Sequence, residues 1–342
     1  MYIFDWAQVK IINPKRAFNI IKLYSSYYYS RFTKQVWLAG YPAVLSIEPT
    51  SYCNLKCPQC PTGLGTLNRQ DGYMDMKTYR SIVDELGAYL TTIQFFFQGE
   101  PFMHKHLPEM ISYAKSKNIY TLTSTNGHFL SRDSVNAILD SGLDTIVVGL
   151  DGVSPEVYRF YRRNGKFDLV VQGIQRLIAE RNRRGLKHPK TVLQFIVFKS
   201  NEDQVEDVKK FGKELKFDKV VIKTAQIYPE TNIDDFLPDN PALSRYKKEN
   251  GSLRLKTSIP NHCKRVWTQA VFTWDGVLAS CCFDKDAGHS FGKWNPECGT
   301  GGDPFLELWK SEKGMHFRKQ ILKNRSDIPM CGNCTEGIKE FR

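Results

Sequence analysis

The chain of 342 residues contains no apolar run long enough to cross a bilayer. Its longest strand-like runs, "TIVVGL" and "VLQFIVF", are far shorter than the roughly 20 residues that a membrane-spanning helix needs, and they suit a buried sheet. The N-terminal stretch "MYIFDWAQVKIINPKR" lacks an apolar core followed by a small-residue cleavage site, so we identify no secretion signal. These absences predict a cytoplasmic location.

Acidic residues are scarcer than basic ones, 36 against 48, which leaves a formal net charge of +12. Such an excess favours an acidic partner or substrate, whether phosphates, an anionic membrane face or nucleic acid. A basic but passive surface is an equal alternative.

Paired cysteines are also lacking: the nine cysteines are an odd number and fall in two clusters. In a reducing compartment this distribution favours metal ligation over disulfides.

Residues 1–40 differ in composition from the rest of the chain. The stretch "RAFNIIKLYSSYYYSRFTKQVWL" mixes bulky apolar and aromatic residues with Lys22, Arg31 and Lys34, and the only acid upstream is Asp5. This predicts an amphipathic helical extension with a basic face. The extension either packs across the outside of the main domain or forms an interfacial membrane helix.

Strand and helix patterns alternate from residue 41 to residue 225, which predicts an α/β fold with a parallel sheet. Six such units are too few to close an eightfold barrel, so we expect an open, partial (β/α)6 barrel. Residues 226–260 are rich in proline and asparagine and are interpreted as a linker. Residues 261–342 hold six of the nine cysteines and are expected to form a small metal-organised domain. The predicted strands are "AVLSIEP" (43–49), "TIQFFFQ" (92–98), "IYTLTST" (119–125), "DTIVVGL" (144–150), "TVLQFIVF" (191–198) and "KVVIKTA" (219–225).

The first cysteine cluster lies directly after the first predicted strand, at the edge of the sheet where α/β sites are built. Cys53, Cys57 and Cys60 have the spacing C-x3-C-x2-C, with no fourth cysteine nearby. Three thiolates can hold three corners of a [4Fe–4S] cluster and leave one iron open, as a reactive site requires. A zinc site with a distant fourth ligand, or three unrelated thiols, are the alternatives.

This loop resembles the signature of the radical S-adenosylmethionine (SAM) enzymes. The resemblance implies that the three cysteines are the catalytic and metal-binding residues of a [4Fe–4S] cluster whose open iron binds SAM. It also implies that reductive cleavage of SAM gives a 5′-deoxyadenosyl radical, which takes a hydrogen atom from the substrate. Gln59 departs from the family, since an aromatic residue usually precedes the third cysteine.

Further resemblances fall at the following strand ends and imply SAM-binding residues. "QGEP" matches the family's Gly-Glu-Pro motif, and its glutamate would accept hydrogen bonds from the methionine amino group. "STNG" matches a Thr-Asn-Gly turn, and "GLDG" matches a Ser-x-Asp-Gly segment in which Gly149 replaces the serine. A polar residue in the fifth strand is expected to point into the barrel or to be a satisfied core amide. The residues so implied are Gly99, Glu100, Pro101, Ser124, Thr125, Asn126, Asp151 and Gln194.

The second cysteine cluster resembles the SPASM or Twitch extension of these enzymes. The pattern C-x12-G-x4-C is followed by "MCGNC", and "WDGVLASCC" predicts a hairpin with an Asp-Gly turn. The resemblance implies one auxiliary [4Fe–4S] cluster; a structural zinc site is the alternative. Cys282 and Cys298 are left over and are interpreted as inert thiols or as hydrogen-atom donors. The expected ligands are Cys263, Cys281, Cys331 and Cys334.

We therefore expect a radical SAM oxidoreductase in which the auxiliary cluster accepts the second electron of a two-electron oxidation. Epimerisation or peptide and protein modification on the same scaffold, and a non-catalytic iron–sulfur or zinc-binding protein, are the alternatives. The expected partners are a small-molecule or peptide substrate, which the positive charge suggests is anionic, and an electron donor such as flavodoxin or ferredoxin. No nucleic acid is expected, and membrane contact is expected only through residues 1–40.

Overall fold

The fold is built on one large sheet, observed in a computed structural model that describes residues 5–228, 232–249, 252–297 and 303–336. The strands are β1 (Val44–Ile47), β2 (Thr92–Phe95), β3 (Tyr120–Thr125), β4 (Thr145–Gly149), β5 (Lys190–Val197), β6 (Lys219–Thr224), β7 (Tyr246–Glu249), β8 (Ser252–Leu255), β9 (Gln269–Phe272), β10 (Val277–Ala279) and β11 (Gly292–Lys293). Within the described residues, nine of them form a sheet in the order β11-β10-β9-β1-β2-β3-β4-β5-β6. β1 to β6 pair in parallel and in chain order. The sheet ends at β6 and β11 without closing, which confirms the predicted α/β partial barrel.

Helices separate the parallel strands and cover the outer face of the sheet. They are α1 (Ala7–Lys10), α2 (Pro14–Thr33), α3 (Pro61–Leu64), α4 (Met76–Leu86), α5 (Leu107–Ser116), α6 (Arg132–Asp140), α7 (Pro155–Tyr161), α8 (Phe167–Arg183), α9 (Val205–Glu214), α10 (Arg265–Thr268), α11 (Pro304–Trp309), α12 (Glu312–Asn324) and α13 (Pro329–Gly332). Capping residues fix where several of them begin. Ser154, for example, precedes a proline and its hydroxyl accepts a hydrogen bond from the Val157 N–H at 3.4 Å.

The two faces of the parallel strands have different neighbours. Ile93 and Phe95 of β2 belong to the main apolar core together with Ile82 of α4, on the helix-covered face. Leu122 of β3 and Val147 of β4 form a separate cluster with side chains of β5 and β6. Since successive side chains of a strand alternate between faces, the second cluster lines the interior of the barrel.

The C-terminal part of the chain extends the barrel sheet. β9 pairs in parallel with β1, from Val44 opposite Gln269 to Ile47 opposite Phe272. β10 returns antiparallel to β9 after the predicted Asp-Gly turn, in which Gly276 has a φ of +80°. A glycine suits this position because other residues rarely adopt a positive φ. The second cysteine cluster is therefore carried by strands that continue the barrel.

The segment between these parts, predicted to be a linker, packs against the first cysteine loop. Its described residues include the β7–β8 hairpin and two short 3-10 turns. Phe236 and Tyr246 are buried in one apolar cluster with Leu55 and Cys57. Tyr228 donates its backbone N–H to the Gln59 side-chain oxygen at 2.6 Å. Gln59, which departs from the family pattern, thus ties this segment to the cysteine loop.

The N-terminal helix α2 lies against the molecule with a face on which polar residues outnumber apolar ones. Its buried residues include Arg16, Asn19, Ser26 and Ser30, whereas aromatic residues lie on its exposed side. None of the described helices combines the length and the apolar character that crossing a bilayer requires.

Candidate functional site

The three cysteines of the first cluster lie in the loop between β1 and α3. Cys57 is buried and Cys53 and Cys60 are partly buried. Each thiol acts electrostatically on the others, so the three groups lie close together. The loop is tightly folded, because a Cβ on Gly63 would come within 2.5 Å of the Cys57 backbone nitrogen. The structure therefore brings together the three predicted ligands of the first cluster.

The environment of these thiols suits an iron–sulfur cluster. Burial raises the pKa of Cys53 to about 11 and of Cys57 to about 12, and the positive charge of Arg162 opposes both shifts. Binding to iron would remove the cost of ionising these buried thiols. The Leu55 N–H also donates to the Cys53 sulfur at 3.4 Å, a contact that favours a thiolate. Among the described residues, no three cysteine, histidine or acidic side chains are placed to hold a single metal ion. Each of the three thiolates could bind a different iron of a cubane and leave the fourth iron open.

Glu100 is fixed at the end of β2 directly beside the cysteine loop. The preceding Gly99 has a φ of +72°, and a Cβ there would lie 2.3 Å from the Thr50 carbonyl oxygen. Glycine therefore permits the contact between the two loops, in which the Glu100 N–H donates to the Tyr52 carbonyl at 2.8 Å. Pro101 begins the 3-10 turn that follows.

The carboxylate of Glu100 is buried among hydrogen-bond donors. It accepts from the Thr125 hydroxyl and the Asn126 N–H, both at 2.7 Å, and from the Phe102 N–H at 3.1 Å. Burial raises its pKa to about 7, although these donors and Arg162 oppose the shift. The group is thus poised to change ionisation near neutral pH.

The end of β3 also contacts the cysteine loop. The Asn126 side-chain amide donates to the Asn54 side-chain oxygen at 2.7 Å and lies 3.9 Å from the Cys53 sulfur. Ser124 is partly exposed one residue before Thr125 in the same strand. The structure therefore assembles the predicted Gly-Glu-Pro and Thr-Asn-Gly motifs around one edge of the cysteine loop.

At the end of β4 the structure adds an arginine that the sequence motifs did not include. Asp151 is fully buried; its carboxylate accepts from the Arg162 Nε at 2.7 Å and from the Ile196 N–H at 2.8 Å. A Cβ on Gly149 would lie 2.4 Å from the Arg162 guanidinium. Glycine therefore makes the space that the guanidinium fills, beside Cys57. In the sequence, the signal that could have indicated this contact was Gly149, which stands where the family has a serine.

Gln194 lies on β5 directly opposite Gly149 of β4. Its strand neighbour Val192 belongs to the cluster inside the barrel, and residues two apart share a face. The Gln194 side-chain oxygen is buried and has no hydrogen-bond partner within the described residues. A buried acceptor left unpaired is costly, so this oxygen is available to a bound molecule.

The four cysteines of the second cluster also come together. Cys263, Cys281, Cys331 and Cys334 are all buried and act electrostatically on one another. Burial raises the pKa of Cys331 to about 12 and of Cys334 to about 11.

Hydrogen-bond donors surround the sulfurs of this second cluster. Arg325 donates to the Cys334 sulfur at 3.4 Å, and the Phe283 N–H donates to the Cys281 sulfur at the same distance. Donors of this kind stabilise thiolate ligands of iron–sulfur clusters. Four buried thiols with such donors fit a cluster whose every iron is held by the protein.

The remaining cysteines occupy different positions. Cys282 is partly buried, accepts from the Arg265 guanidinium at 2.8 Å, and packs in a cluster with Phe97 and Val271. Phe97 follows β2 and lies three residues before Glu100, so this apolar cluster connects the auxiliary region with the strand end that carries Glu100. Cys298 lies outside the described residues.

Family models match both parts of the chain. The model of the radical SAM superfamily matches residues 47–212, and that of the SPASM iron–sulfur cluster-binding domain matches residues 263–335. The chain belongs to the radical SAM superfamily. As a radical SAM protein with a SPASM domain, it takes SAM, a SAM-binding [4Fe–4S] cluster and an auxiliary [4Fe–4S] cluster as cofactors.

Two curated relatives of this radical SAM protein are named for different molecules. The tungsten-containing aldehyde ferredoxin oxidoreductase cofactor-modifying protein of Pyrococcus furiosus is 23% identical over 318 residues, which are 85% of this chain and 86% of that protein. The Fe-coproporphyrin III synthase of Methanosarcina barkeri is 28% identical over 159 residues, which are 46% of this chain but only 37% of that protein.

Solved structures share the fold of this radical SAM protein. SuiB of Streptococcus suis bound to S-adenosylmethionine has a TM-score of 0.62 at 16% identity and covers 91% of this chain and 74% of that one. SuiB bound to its precursor peptide SuiA has a TM-score of 0.59 at 16% identity, covering 82% and 67%.

Proposed function

We propose that this radical SAM enzyme removes a hydrogen atom from an anionic small-molecule or peptide substrate and completes a two-electron oxidation. The observation that carries the proposal is the convergence of the cysteine loop, Glu100, Asn126 and the Asp151–Arg162 pair at one edge of the sheet. When bound, the first cluster and SAM supply a 5′-deoxyadenosyl radical by one-electron cleavage of the sulfonium. The side chains at this edge hold and orient the reacting molecules.

In this proposal, Cys53, Cys57 and Cys60 hold the first cluster, and the Glu100 carboxylate accepts hydrogen bonds from the SAM amino group. Thr125 and the Asn126 N–H fix that carboxylate in place. The other motif residues, Gly99, Pro101, Ser124, Asp151 and Gln194, complete the SAM-binding edge.

Arg162 provides the positive charge of the site. It lies within electrostatic reach of Cys53, Cys57 and Glu100, and it is held by Asp151. We propose that it offsets the negative charge of the thiolate-bound cluster and of the SAM carboxylate, because both would be desolvated there.

The second cluster is proposed to relay an electron. Four protein thiols, Cys263, Cys281, Cys331 and Cys334, would occupy every iron and leave none for the substrate. Cys282 and Phe97 connect this region to the first site through one apolar cluster. The substrate radical that remains after loss of a hydrogen atom would then give its unpaired electron to this cluster and a proton to solvent. A flavodoxin or ferredoxin would supply the electron for SAM cleavage.

An anionic substrate is supported by the positive charge of Lys285 and of the chain as a whole. Lys285 lies over the Phe97 ring at 5.0 Å, and the chain carries a net charge of +12. The modification of a cofactor by the Pyrococcus furiosus relative and the peptide bound to SuiB are consistent with either a small molecule or a peptide.

Anaerobic incubation with a reductant and SAM tests the proposal. The reconstituted enzyme should produce 5′-deoxyadenosine and methionine, C57A should produce neither, and C331A should retain cleavage but lose turnover of substrate. The matched control C282A removes a thiol that is not assigned to a cluster and should retain cleavage. A C57A variant as active as the unaltered chain would refute the site.

The position of Cys282 supports epimerisation as a second candidate. This partly buried thiol packs beside Phe97 and could return a hydrogen atom to the substrate. Oxidation lowers the substrate mass by two hydrogens, whereas epimerisation leaves the mass unchanged and introduces deuterium from heavy water. Loss of deuterium uptake in C282A would favour epimerisation, and a product lighter by two hydrogens would exclude it.

A further inference from the structure

The helix α2 exposes most of its large apolar side chains. Four of its six buried residues are polar and hydrogen-bonded, namely Arg16, Asn19, Ser26 and Ser30. The other two are Leu23 and Tyr27. A surface helix normally buries its apolar stripe and exposes its charged residues. Packing against the rest of the chain accounts for Leu23 and Tyr27 but not for the other large apolar residues of α2.

Those apolar residues are concentrated on the exposed side. Phe18, Ile21 and Phe32 are 59%, 61% and 76% exposed. Tyr24, Tyr28 and Tyr29 are exposed beside them. At 3.6 residues per turn these six side chains fall within one half of the helix circumference. We call this surface, made of the exposed side chains of Phe18, Ile21, Tyr24, Tyr28, Tyr29 and Phe32, the aromatic face.

No comparable concentration occurs elsewhere in the described residues. Of their fifteen exposed large apolar side chains, ten lie within residues 6–37, a segment that includes the aromatic face and Trp6 and Trp37. Isolated exposed apolar residues are normal in proteins, but contiguous patches mark binding surfaces.

Cations border the aromatic face. Lys22 lies over the Phe18 ring at 4.5 Å, and Lys264 lies over the Tyr24 ring at 5.1 Å. Arg31 approaches the Phe32 ring at 5.9 Å. No acidic residue occurs between Asp5 and Glu48 in the sequence, so nothing within this segment neutralises these charges.

We propose that the aromatic face docks on the surface of an anionic lipid bilayer, with α2 lying in the plane of the interface. Tyrosine and phenylalanine rings beside lysine and arginine match the chemistry of that interface, where apolar groups enter the acyl boundary and cations reach the headgroups. The charge complementarity distinguishes this partner from a neutral apolar one. The 20 residues of α2 span about 30 Å, enough for a continuous line of contact.

Hydrogen bonds connect α2 and the segment that follows it to the C-terminal part of the chain. Tyr27 is hydrogen-bonded to His262 at 2.9 Å, and the Trp267 indole N–H donates to the Trp37 carbonyl at 3.0 Å. His262 and Trp267 lie directly before β9, the first strand of the sheet extension that carries the second cluster. Binding of the aromatic face would therefore position both candidate cluster sites relative to the lipid surface.

Vesicle co-sedimentation of the full, reconstituted chain tests this inference. Vesicles of phosphatidylcholine alone are compared with vesicles containing about 30% phosphatidylglycerol, each at low and high salt. The chain should bind the anionic vesicles, and high salt should weaken binding. F18S/F32S should weaken binding about tenfold, because it removes two exposed rings. K22E/R31E should weaken it at least as strongly, since each cation contributes about 1 kcal/mol, or roughly fivefold in affinity.

Matched controls separate the surface from general effects. L169S/L186S removes two exposed leucines of the barrel, and K313E/K319E makes the same charge change in α12; neither should alter binding. All variants should keep the thermal transition and SAM cleavage of the unaltered chain, because none touches the cluster sites.

Three results would overturn the inference. The first is no binding to anionic vesicles, and the second is equal weakening by the test and control variants. The third is a dimer, detected by light scattering, that F18S/F32S dissociates while vesicle binding is absent; the occupant would then be a second copy of the chain.

Discussion

At the scale of single residues, the guanidinium of Arg162 occupies the space left free by the missing side chain of Gly149. It pairs with Asp151 and lies within electrostatic reach of two cysteines of the first cluster. Neither residue explains the arrangement alone, because the arginine needs the space and the buried aspartate needs the charge. The two positions should therefore behave as a coupled pair.

Replacement of Gly149 tests this coupling. In G149S the new Cβ would lie too close to the guanidinium, so Arg162 has to shift and its pairing with Asp151 should weaken. We expect SAM affinity to fall about tenfold. The control G288S introduces the same side chain where the nearest atom of the surroundings is 3.9 Å away, and it should have no effect.

The double variant G149S/R162A completes a double-mutant cycle with the two single variants. Once the guanidinium is absent, the serine should cost little beyond the effect of R162A alone. Equilibrium dialysis with SAM measures all four proteins, and strictly additive effects would show that the two residues act separately.

Glu100 predicts a pH dependence of SAM binding. Burial raises its pKa to about 7, so the carboxylate is largely protonated below this value and ionised above it. The SAM amino group donates hydrogen bonds to this carboxylate, and the ionised form accepts them more strongly. SAM affinity should therefore rise with pH through about 7 and level off above 8. E100Q should bind SAM weakly with little change between pH 6 and 8.5, whereas the control E109Q, at an exposed position, should keep the dependence. A pH-independent affinity in the unaltered chain would contradict this role.

Much of the site could be predicted from short sequence motifs, and Arg162 could not. The cysteine spacing, Glu100 and Asn126 lie at strand ends, where the order of the strands decides which residues meet. Arg162 follows α7, and it reaches the site only because Gly149 lacks a side chain. This contact depends on the volume left free beside Gly149, and a sequence motif does not reveal which distant side chain fills such a volume.

At the scale of elements, Arg16 fastens the N-terminal helix to the barrel. Its guanidinium donates to the carbonyls of Ile11, Gly87 and Lys117, which lie at the C-terminal ends of α1, α4 and α5, and to that of Asn118. A cation at these ends satisfies carbonyls that have no partner within their helices. This one side chain of α2 therefore connects its helix to the C-terminal ends of three others.

Removal of this charge should loosen the N-terminal segment. R16M would leave the carbonyls unpaired and should lower the free energy of unfolding by about 2–4 kcal/mol. Chymotrypsin should then cleave among the aromatic residues of α2 sooner than in the unaltered chain. The control K22Q changes an exposed lysine of the same helix and should shift stability by less than about 0.5 kcal/mol. Equal proteolysis of both variants would contradict the role of Arg16.

The six parallel strands were predicted within a few residues, since apolar runs bounded by helical patterns fix their positions. The polar packing face of α2 was not predicted, because the pattern of its residues does not reveal which side meets the protein. The sequence left open whether α2 packs on the barrel or meets a membrane; the structure shows that one face packs, which leaves the aromatic face for the other interpretation.

At the scale of the whole molecule, the two candidate cluster regions share a continuous sheet. β9 pairs with β1, and the buried carboxylate of Glu48 at the end of β1 accepts hydrogen bonds from the Gln98 and Trp274 N–H groups. Arg69 also pairs with this carboxylate. The hairpin of the auxiliary region was predicted from its Asp-Gly turn. Its pairing with β1 was not, since residues more than 200 positions apart meet there.

Loss of the auxiliary thiols should loosen only one part of this sheet. In C331A/C334A the iron content should fall from about eight to about four atoms per chain. Hydrogen exchange should accelerate in β9, β10 and α12, which no longer surround a bound cluster, while β3 to β5 stay protected. The control C282A should keep both the iron and the protection. Accelerated exchange across the whole barrel would show that the two regions unfold together.

The pairing of β1 with β9 also has a consequence for biosynthesis. A ribosome completes β1 to β6 long before it reaches residues 269–272, and during that interval one edge of β1 exposes unpaired backbone groups. Nascent chains with such edges are prone to mispair. Maturation of the barrel therefore depends on synthesis of the last quarter of the polypeptide, and truncation anywhere before β9 would leave β1, the strand that leads into the first cysteine loop, without one of its neighbours.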